Sequence, residues 1–506
     1  PGLLMSVIGH SPLAGASGAA GGGDPVYVDD VFSTFLYEGT NSAKTITNGI
    51  DLSGEGGLVW IKSRGQARSS HLYDTERGPT KRLISSSGSA EQTTVLGGTS
   101  YGLTSFTSSG FTLTENWGGE NESGVDHVSW TFRKAPGFFD VVTYTGSGSV
   151  QNLSHNLGSV PGMILIKNLD SQYDWAVYHR STTELNYLRL NTTAASSMSS
   201  SYWNNTAPTS THFTIGTNST INQPGASFVA YIFAHDDARF GTNGDESIIK
   251  CGIYTGNAST DGPEIDLGFE PQFLLYKNID QASNWEMIDT MRGMPNPNTS
   301  NNYMKLLRPN TTDPEGTDFS TYPTPTGFKI TNNGASNNGT NNKYIYVAIR
   351  RPHKPATVAT DVFFVTEENS SSNVFDVGFP PDTVLSIGYN GSSRFFSSRL
   401  LGGIKMLEAN ESKVEDNYNA SFDLQNKFSL NGWLGQQTIL SHCFRRSPGF
   451  FDVVTYKGTG SSTNISHNLG VAPELMLVKT RDTSGAWVVY SSNVGETGAL
   501  YLNSPG

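Results

Sequence analysis

The chain has 506 residues, too many for one hydrophobic core and enough for roughly three to five domains of about 100–150 residues. Only 15% of residues are charged, glycines number 55 and aromatics reach 11%, a mix that favours short strands joined by turns over helices. The net charge of −12, from 33 basic and 45 acidic residues, argues against nucleic acid or an anionic membrane held through bulk electrostatics.

The opening Gly2-Leu-Leu-Met-Ser-Val-Ile8 is apolar but short, has no Lys or Arg before it, and runs into a Gly/Ala/Ser tract ending at Gly23. It makes a poor signal peptide and no membrane span. Residues 1–27 are therefore expected to form a flexible or partner-docked Gly-rich arm, the attachment side of the molecule.

From Val28 onward five landmarks recur. The first is a strand ending Tyr-x-Gly, as in Phe35-Leu-Tyr-Glu-Gly39, Val141-Val-Thr-Tyr-Thr-Gly146, Cys251-Gly-Ile-Tyr-Thr-Gly256 and Val453-Val-Thr-Tyr-Lys-Gly458. A short apolar segment closed by Gly follows, then a continuous apolar run such as Leu58-Val-Trp-Ile-Lys62, Met163-Ile-Leu-Ile-Lys167, Phe273-Leu-Leu-Tyr-Lys277 or Leu475-Met-Leu-Val-Lys479. An uninterrupted apolar run between turn signals predicts a central strand covered on both faces. A Trp or His before a polar turn and a closing strand complete each unit. The string Pro136-Gly-Phe-Phe-Asp-Val-Val-Thr-Tyr144 returns letter for letter at Pro448, an offset of 312 (448 minus 136), and such self-similarity marks a repeat array.

The pattern divides the chain into a Gly-rich arm, 1–27, and five units at 28–135, 136–247, 248–355, 356–447 and 448–506. Several short strands and no helical period in about 100 residues predict an all-β antiparallel sandwich, lectin-like or jelly-roll-like, with a closed barrel as the competing arrangement. Linkers of a few residues, often holding Pro, predict semi-rigid spacing of neighbours. Unit 5 ends before a closing strand is reached, so a continuing chain, or a strand supplied by another chain, is expected to cover its open edge. Cys251 and Cys443 lie in different units and read as two buried free thiols.

The units resemble a family of repeated β domains in tail-fibre-like and other structural proteins of bacteriophages, especially phages of marine bacteria and cyanobacteria. The resemblance rests on Gly57-Leu-Val-Trp-Ile-Lys62, Asp74-Thr-Glu-Arg-Gly-Pro-Thr-Lys-Arg-Leu83, Phe106-Thr-Ser-Ser-Gly-Phe-Thr-Leu113 and Val128-Ser-Trp-Thr-Phe132, and covers nearly everything after Val28. Unit 3 keeps a version in Asp289-Thr-Met-Arg-Gly293 and Gly327-Phe-Lys-Ile330, whereas unit 4 replaces the Asp-Thr-x-Arg-Gly string. The resemblance implies a virion component at the particle surface and brings no catalytic residues with it.

Among residues that carry chemistry, Asp74 with Arg77 and Asp289 with Arg292 recur at a spacing that suits an ion pair closing a turn. His155, His467 and His442 lack a second ligand at metal-binding spacing. His235-Asp-Asp237 and Asn243-Gly-Asp-Glu246 offer oxygens but fit no calcium motif. No hydrolase elbow, zinc pair or carboxylate dyad stands out. Trp175, Trp285 and Trp487 share one repeated position and read as core. Trp117, Trp203 and Trp433 sit in polar Gly/Asn loops and are the carbohydrate-binding candidates, since a ring stacked on a sugar needs no charge.

The sequence thus predicts a non-enzymatic virion protein, a fibre or surface appendage that contributes to host-surface glycan adhesion. It implies no cofactor and no metal, and as partners other virion proteins, further copies of the chain and host surface polysaccharide, with no nucleic acid and no membrane insertion. A capsid-decoration or filament protein and a polysaccharide depolymerase are the rival readings.

Overall fold

The computed structural model describes residues 2–7, 24–296, 304–318, 321–368, 374–389, 394–402, 405–417, 419–431 and 438–504. The chain is nearly all β, built of antiparallel sheets in repeated sandwich-like units. In unit 1 the large sheet runs, in spatial order, Phe32–Glu38, Asp126–Arg133, Gly57–Ser63, His71–Asp74, Lys81–Ile84 and Gln92–Thr93. The last strand of the unit returns to lie between its first and third. Units 2, 3 and 4 repeat this order, with Ser227–Phe233, Lys343–Arg350 and Ile439–Phe444 as the returning strands. A smaller sheet of two or three strands completes each of these sandwiches.

Burial explains the continuous apolar runs. Gly57–Ser63 is buried along its whole length: Val59 and Ile61 enter the core of unit 1 itself, while Leu58 and Trp60 enter a core shared by units 1, 2 and 3. Near the middle of that shared core, the Phe132 ring lies 5.5 Å from Phe233 and 6.3 Å from Phe273. Each such fully buried ring stabilises the fold by roughly 1.5–3 kcal/mol.

Three equivalent seams close units 1, 2 and 3 into a ring. The lysine that ends each central strand donates to a carbonyl of the preceding unit: Lys167 Nζ to Gly88 at 3.1 Å, Lys277 Nζ to Thr193 at 3.0 Å, and Lys62 Nζ to Thr311 at 3.1 Å. Unit 2 thus lies on unit 1, unit 3 on unit 2 and unit 1 on unit 3. The repeated tryptophans do the same work, with Trp175 Nε1 donating to Ile84 O and Trp285 Nε1 to Arg189 O, each at 2.9 Å. Unit 5 meets unit 4 in the same way, Trp487 Nε1 donating to Glu408 O at 2.7 Å over a joint apolar cluster that includes Phe396, Leu407, Phe451 and Val489. The units are therefore interlocked, and the spaced beads suggested by the short linkers are not what forms, because every large sheet has a second apolar face that only a neighbour covers.

The arm also differs from expectation at its start. Gly2–Val7 is a strand, antiparallel to both Phe451–Tyr456 and Leu475–Thr480. Val7 faces Phe451 and Gly2 faces Tyr456, as Phe233 faces Phe139 and Phe228 faces Tyr144 in unit 2. Gly2–Val7 thus takes, residue for residue, the place of a returning strand in unit 5.

The duplicated string is a turn and its lock. Gly137 and Gly449 hold φ of +75° and +73°, a region that favours glycine, and each donates its N–H to a leucine carbonyl, Leu157 or Leu469, at 2.7 Å. The aspartate that follows, Asp140 or Asp452, accepts the N–H of Asn156 or Asn468 at 2.7 Å. In turn His155 and His467 accept the Leu157 and Leu469 N–H on Nδ1 at 3.2 Å. The Pro-Gly-Phe-Phe-Asp and His-Asn-Leu-Gly strings therefore recur together because each satisfies the other's backbone.

Candidate functional site

Asp74 and Arg77 form a buried pair, Nε to Oδ2 at 2.5 Å, and Tyr231 of unit 2 donates its hydroxyl to the same carboxylate at 2.7 Å. Asp289 and Arg292 repeat the arrangement at 2.6 Å, with Trp130 Nε1 of unit 1 donating to Asp289 Oδ2 at 3.2 Å and the Arg292 guanidinium over the Trp130 ring. At the third seam the strand position of Asp74 is held by His179, since Leu58 faces Asp74 and Met163 faces His179. His179 Nε2 bonds the Tyr346 carbonyl of unit 3 at 3.1 Å. All of these atoms are consumed by the ring seams and face no solvent groove.

Of the three loop tryptophans, Trp203 is 2% exposed, packs against Tyr178 and Tyr202, and donates Nε1 to Asn186 O at 2.9 Å. It is a loop anchor and no surface platform, because the short helix Ser200–Trp203 turns its ring inward. Trp117 is half-buried with its ring 5.0 Å from Tyr101, leaving an aromatic pair in the loop. Trp433 lies outside the described residues.

The acidic loops are engaged in ion pairs, Asp237 with Arg239 at 2.5 Å and Glu246 with Arg350. Among the described residues no group of three or more His, Cys, Asp or Glu comes together as a metal site. Cys251 and Cys443 are free and buried, and burial pushes the Cys443 thiol up to about 12. Among the described residues no helix is long and apolar enough to cross a membrane.

Among the recesses of the described residues that lie where units meet, two are the widest. The larger, about 570 Å³, opens between units 3 and 5 and is lined by Tyr322, Tyr456, Asp261, Lys329, Lys457 and Asn296 among others. Burial, with the charges of Glu264 and Asp261, raises the Tyr322 hydroxyl to about 12, so it stays a hydrogen-bond donor at neutral pH. Asp261 is paired with Lys329 at 2.7 Å. Two phenol rings, an amide and a mixed set of charges suit a polar, ring-shaped ligand. The smaller recess, about 240 Å³, lies between units 1, 3 and 4 and holds Arg351, Arg399, Arg445 and Arg446 beside Asp29 and Asp382.

A family model described as a domain of unknown function (DUF7483) matches residues 28–352 and 436–506. The chain belongs to that family. The longer DUF7483 match coincides with the ring of units 1, 2 and 3, and the match leaves out 353–435, most of unit 4, where the Asp-Thr-x-Arg-Gly string is replaced. A comparison with curated proteins gives no match.

Neither recess stands out in the sequence. Tyr456 appears there only as the end of a repeated strand, Tyr322 precedes a Pro with no partner pattern, and Arg399 falls in the unit that breaks the repeat. Only the meeting of units makes these residues neighbours, so spacing within one unit carries no signal of it.

Proposed function

We propose that this chain is a non-enzymatic structural protein of a bacteriophage particle, a fibre or surface appendage that contributes to adhesion to host-surface glycan. The observation that carries the reading is the open groove between units 3 and 5, where Tyr322 and Tyr456 stand with polar and charged partners. Asn296 of unit 3 ties the two walls together, donating to Thr455 and accepting from Arg481 of unit 5, so binding there costs less ordering than between free units. The resemblance to phage fibre repeats supplies the particle, and the Trp117 with Tyr101 pair offers a second contact for a long polysaccharide, where several weak sites gain through effective concentration.

Binding of the full chain to host-surface polysaccharide or whole cells tests this. Tyr322→Ala with Tyr456→Ala is expected to weaken binding at least tenfold without loss of fold, and Trp117→Ala a few-fold. Binding unchanged in the combined variant removes the adhesion reading. A purely structural decoration or filament protein is the second reading, favoured by the spending of the recurring Asp, Arg, Lys and Trp side chains on seams; labelling that places the chain within the particle shell, away from its appendages, would decide for it. Release of reducing ends from the polysaccharide would decide for a depolymerase.

A further inference from the structure

The groove between units 3 and 5 has a charge balance that bears on what it can hold. Two carboxylates, Asp261 and Asp482, and two ammonium groups, Lys329 and Lys457, line it. Asp261 is engaged by both lysines, Lys329 Nζ at 2.7 Å and Lys457 Nζ at 4.0 Å, and Glu264 stands 3.8 Å from Lys329. No positive charge is therefore left over for an acidic ligand among the described residues of the groove. Lys457, the cation with most room, has a side chain 73% exposed, where water and salt screen any pair made with it. The chain as a whole repels anions as well, with its net charge of −12.

The groups that stay open there are neutral. The Tyr322 and Tyr456 hydroxyls bond no described atom of the chain, yet neither is sealed in, since both rings are half-buried and their oxygens reach solvent. Burial raises the Tyr456 hydroxyl as it does Tyr322, so both phenols stay uncharged at neutral pH. Asn296 spends its Nδ2 on Thr455 Oγ1 at 3.1 Å and its carbonyl on Arg481, which leaves Oδ1 as an acceptor at the groove wall. Asp261, its side chain 66% exposed, keeps lone pairs for further donors while Lys329 holds it. Two flat rings with an amide oxygen and a carboxylate suit the C–H face and the O–H donors of a pyranose. A sugar carboxylate offers no donor and would meet Asp261 and Asn296 Oδ1 as like poles. The groove of about 570 Å³ has the room of roughly 19 waters at about 30 Å³ each, more than one sugar ring needs.

We propose that this groove takes uncharged glycan, a short run of neutral pyranose units, and discriminates against acidic sugars, with Asp261 as the residue that sets the choice. That the ligand is a glycan rests on the adhesion reading, whereas its neutrality rests on Asp261, Lys329, Lys457 and Asn296. Calorimetric titration of the full chain with maltotriose, cellotriose, chitotriose and trigalacturonate tests it. At least one of the three neutral trisaccharides is expected to bind with millimolar or tighter affinity and trigalacturonate at least tenfold more weakly. The neutral affinity should change less than twofold between about 50 and about 500 mM salt. Asp261→Asn, at an exposed position, should narrow the gap between neutral and acidic ligand at least fivefold, because trigalacturonate then meets Lys329 and Lys457 with the Asp261 charge gone; a residue with a merely structural role would weaken both ligands alike. Tyr322→Ala with Tyr456→Ala should weaken the neutral ligand at least tenfold. No neutral trisaccharide bound, trigalacturonate within tenfold of the best of them, or a gap unmoved by Asp261→Asn each overturns the proposal. If trigalacturonate binds as well as the neutral ligands and its binding depends on the two tyrosines, the selectivity falls and the adhesion reading stands. If cell binding ignores both tyrosines, the adhesion reading falls and this proposal with it.

Discussion

At the three ring seams one strand position is filled by Asp74, Asp289 and His179, and the partner decides which. Tyr231 and Trp130 present donors, an O–H and an N–H, so an acceptor sits opposite them. At the third seam the partner is a backbone carbonyl, Tyr346 O, and only a donor can meet it. His179 fits as the neutral ring, Nε2–H donating to Tyr346 O while Nδ1 accepts the Ser181 N–H at 3.2 Å. Protonation would break the second bond inside a buried seam, and burial, reinforced by the charge of Arg180, lowers His179 to about 4. A histidine lowered in the folded state binds fewer protons there than when unfolded, so its contribution is complete above about pH 6.5 and is lost as pH falls toward 4. His179→Asn keeps a donor and removes the titration; in denaturant unfolding its stability should fall less than that of the parent between pH 6.5 and 4.5. His179→Asp should cost about 1–3 kcal/mol at pH 7.5, since it sets a carboxylate against the Tyr346 carbonyl. Stability equal to the parent in the Asp variant would show that this seam does not depend on donor and acceptor matching. The sequence displays the Asp and Arg recurrence but not its break at His179, because the residue that sets the choice lies in another unit.

Among the strands, legibility follows how local the cause of each is. The central runs are readable because burial on both faces leaves an uninterrupted apolar string, and the Pro-Gly-Phe-Phe-Asp turn because glycine and the carboxylate act within about 20 residues of each other. Trp203 misleads for a related reason: its polar neighbours suggest an open loop, yet a single turn of helix carries the ring into the core. Trp203→Ala is therefore expected to destabilise the protein by about 3–5 kcal/mol in denaturant unfolding, and Trp117→Ala by far less; comparable losses would mean that Trp117 too is an anchor. Gly2–Val7 could not be assigned to unit 5 from the sequence, as the residues it pairs with are some 450 positions away. Its pairing on both sides yields its own test. A proline at Leu4 removes a ladder donor from the interior of a sheet, so hydrogen exchange should accelerate in Phe451–Tyr456 and Leu475–Thr480 and stay unchanged in Phe32–Glu38. Equal protection in the proline variant would mean that Gly2–Val7 does not hold unit 5 together.

In the whole molecule, two kinds of contact are divided between two places. Units 1, 2 and 3 share one apolar core, whereas units 4 and 5 meet the ring largely through charges and hydrogen bonds: Arg446 on Glu270, Arg445 on Asp29, Arg399 on the Met291 carbonyl, and Arg64 between Glu315 and Asp423. The ring should therefore unfold as one cooperative body, and units 4 and 5 should detach earlier in guanidinium or on heating. Arg64 is the residue through which to separate the two events, since it joins unit 1 to unit 3 at 2.8 Å and to unit 4 at 2.5 Å. Removing it leaves Glu315 with Arg292, but leaves Asp423, whose side chain is 28% exposed, with no cation in contact among the described residues. Taking one partner from an ion pair that is only partly buried costs about 1–3 kcal/mol. In calorimetry Arg64→Ala should therefore lower the first transition by several degrees and move the second far less. The pH response fixes the cause. Burial raises the Asp423 carboxyl even against the opposing charge of Arg64, so without Arg64 it rises further and the folded state binds the proton more tightly than the unfolded state does. For an acid raised in this way stability is lost as pH climbs from the unfolded value, about 3.9, through the folded one. The deficit of Arg64→Ala should accordingly be larger at pH 7 than at pH 4.5, and Asp423→Asn in the same background should recover most of it at pH 7. A deficit that does not change with pH, or a single transition that moves as a whole, would show that the junction is held by packing and that all five units unfold together.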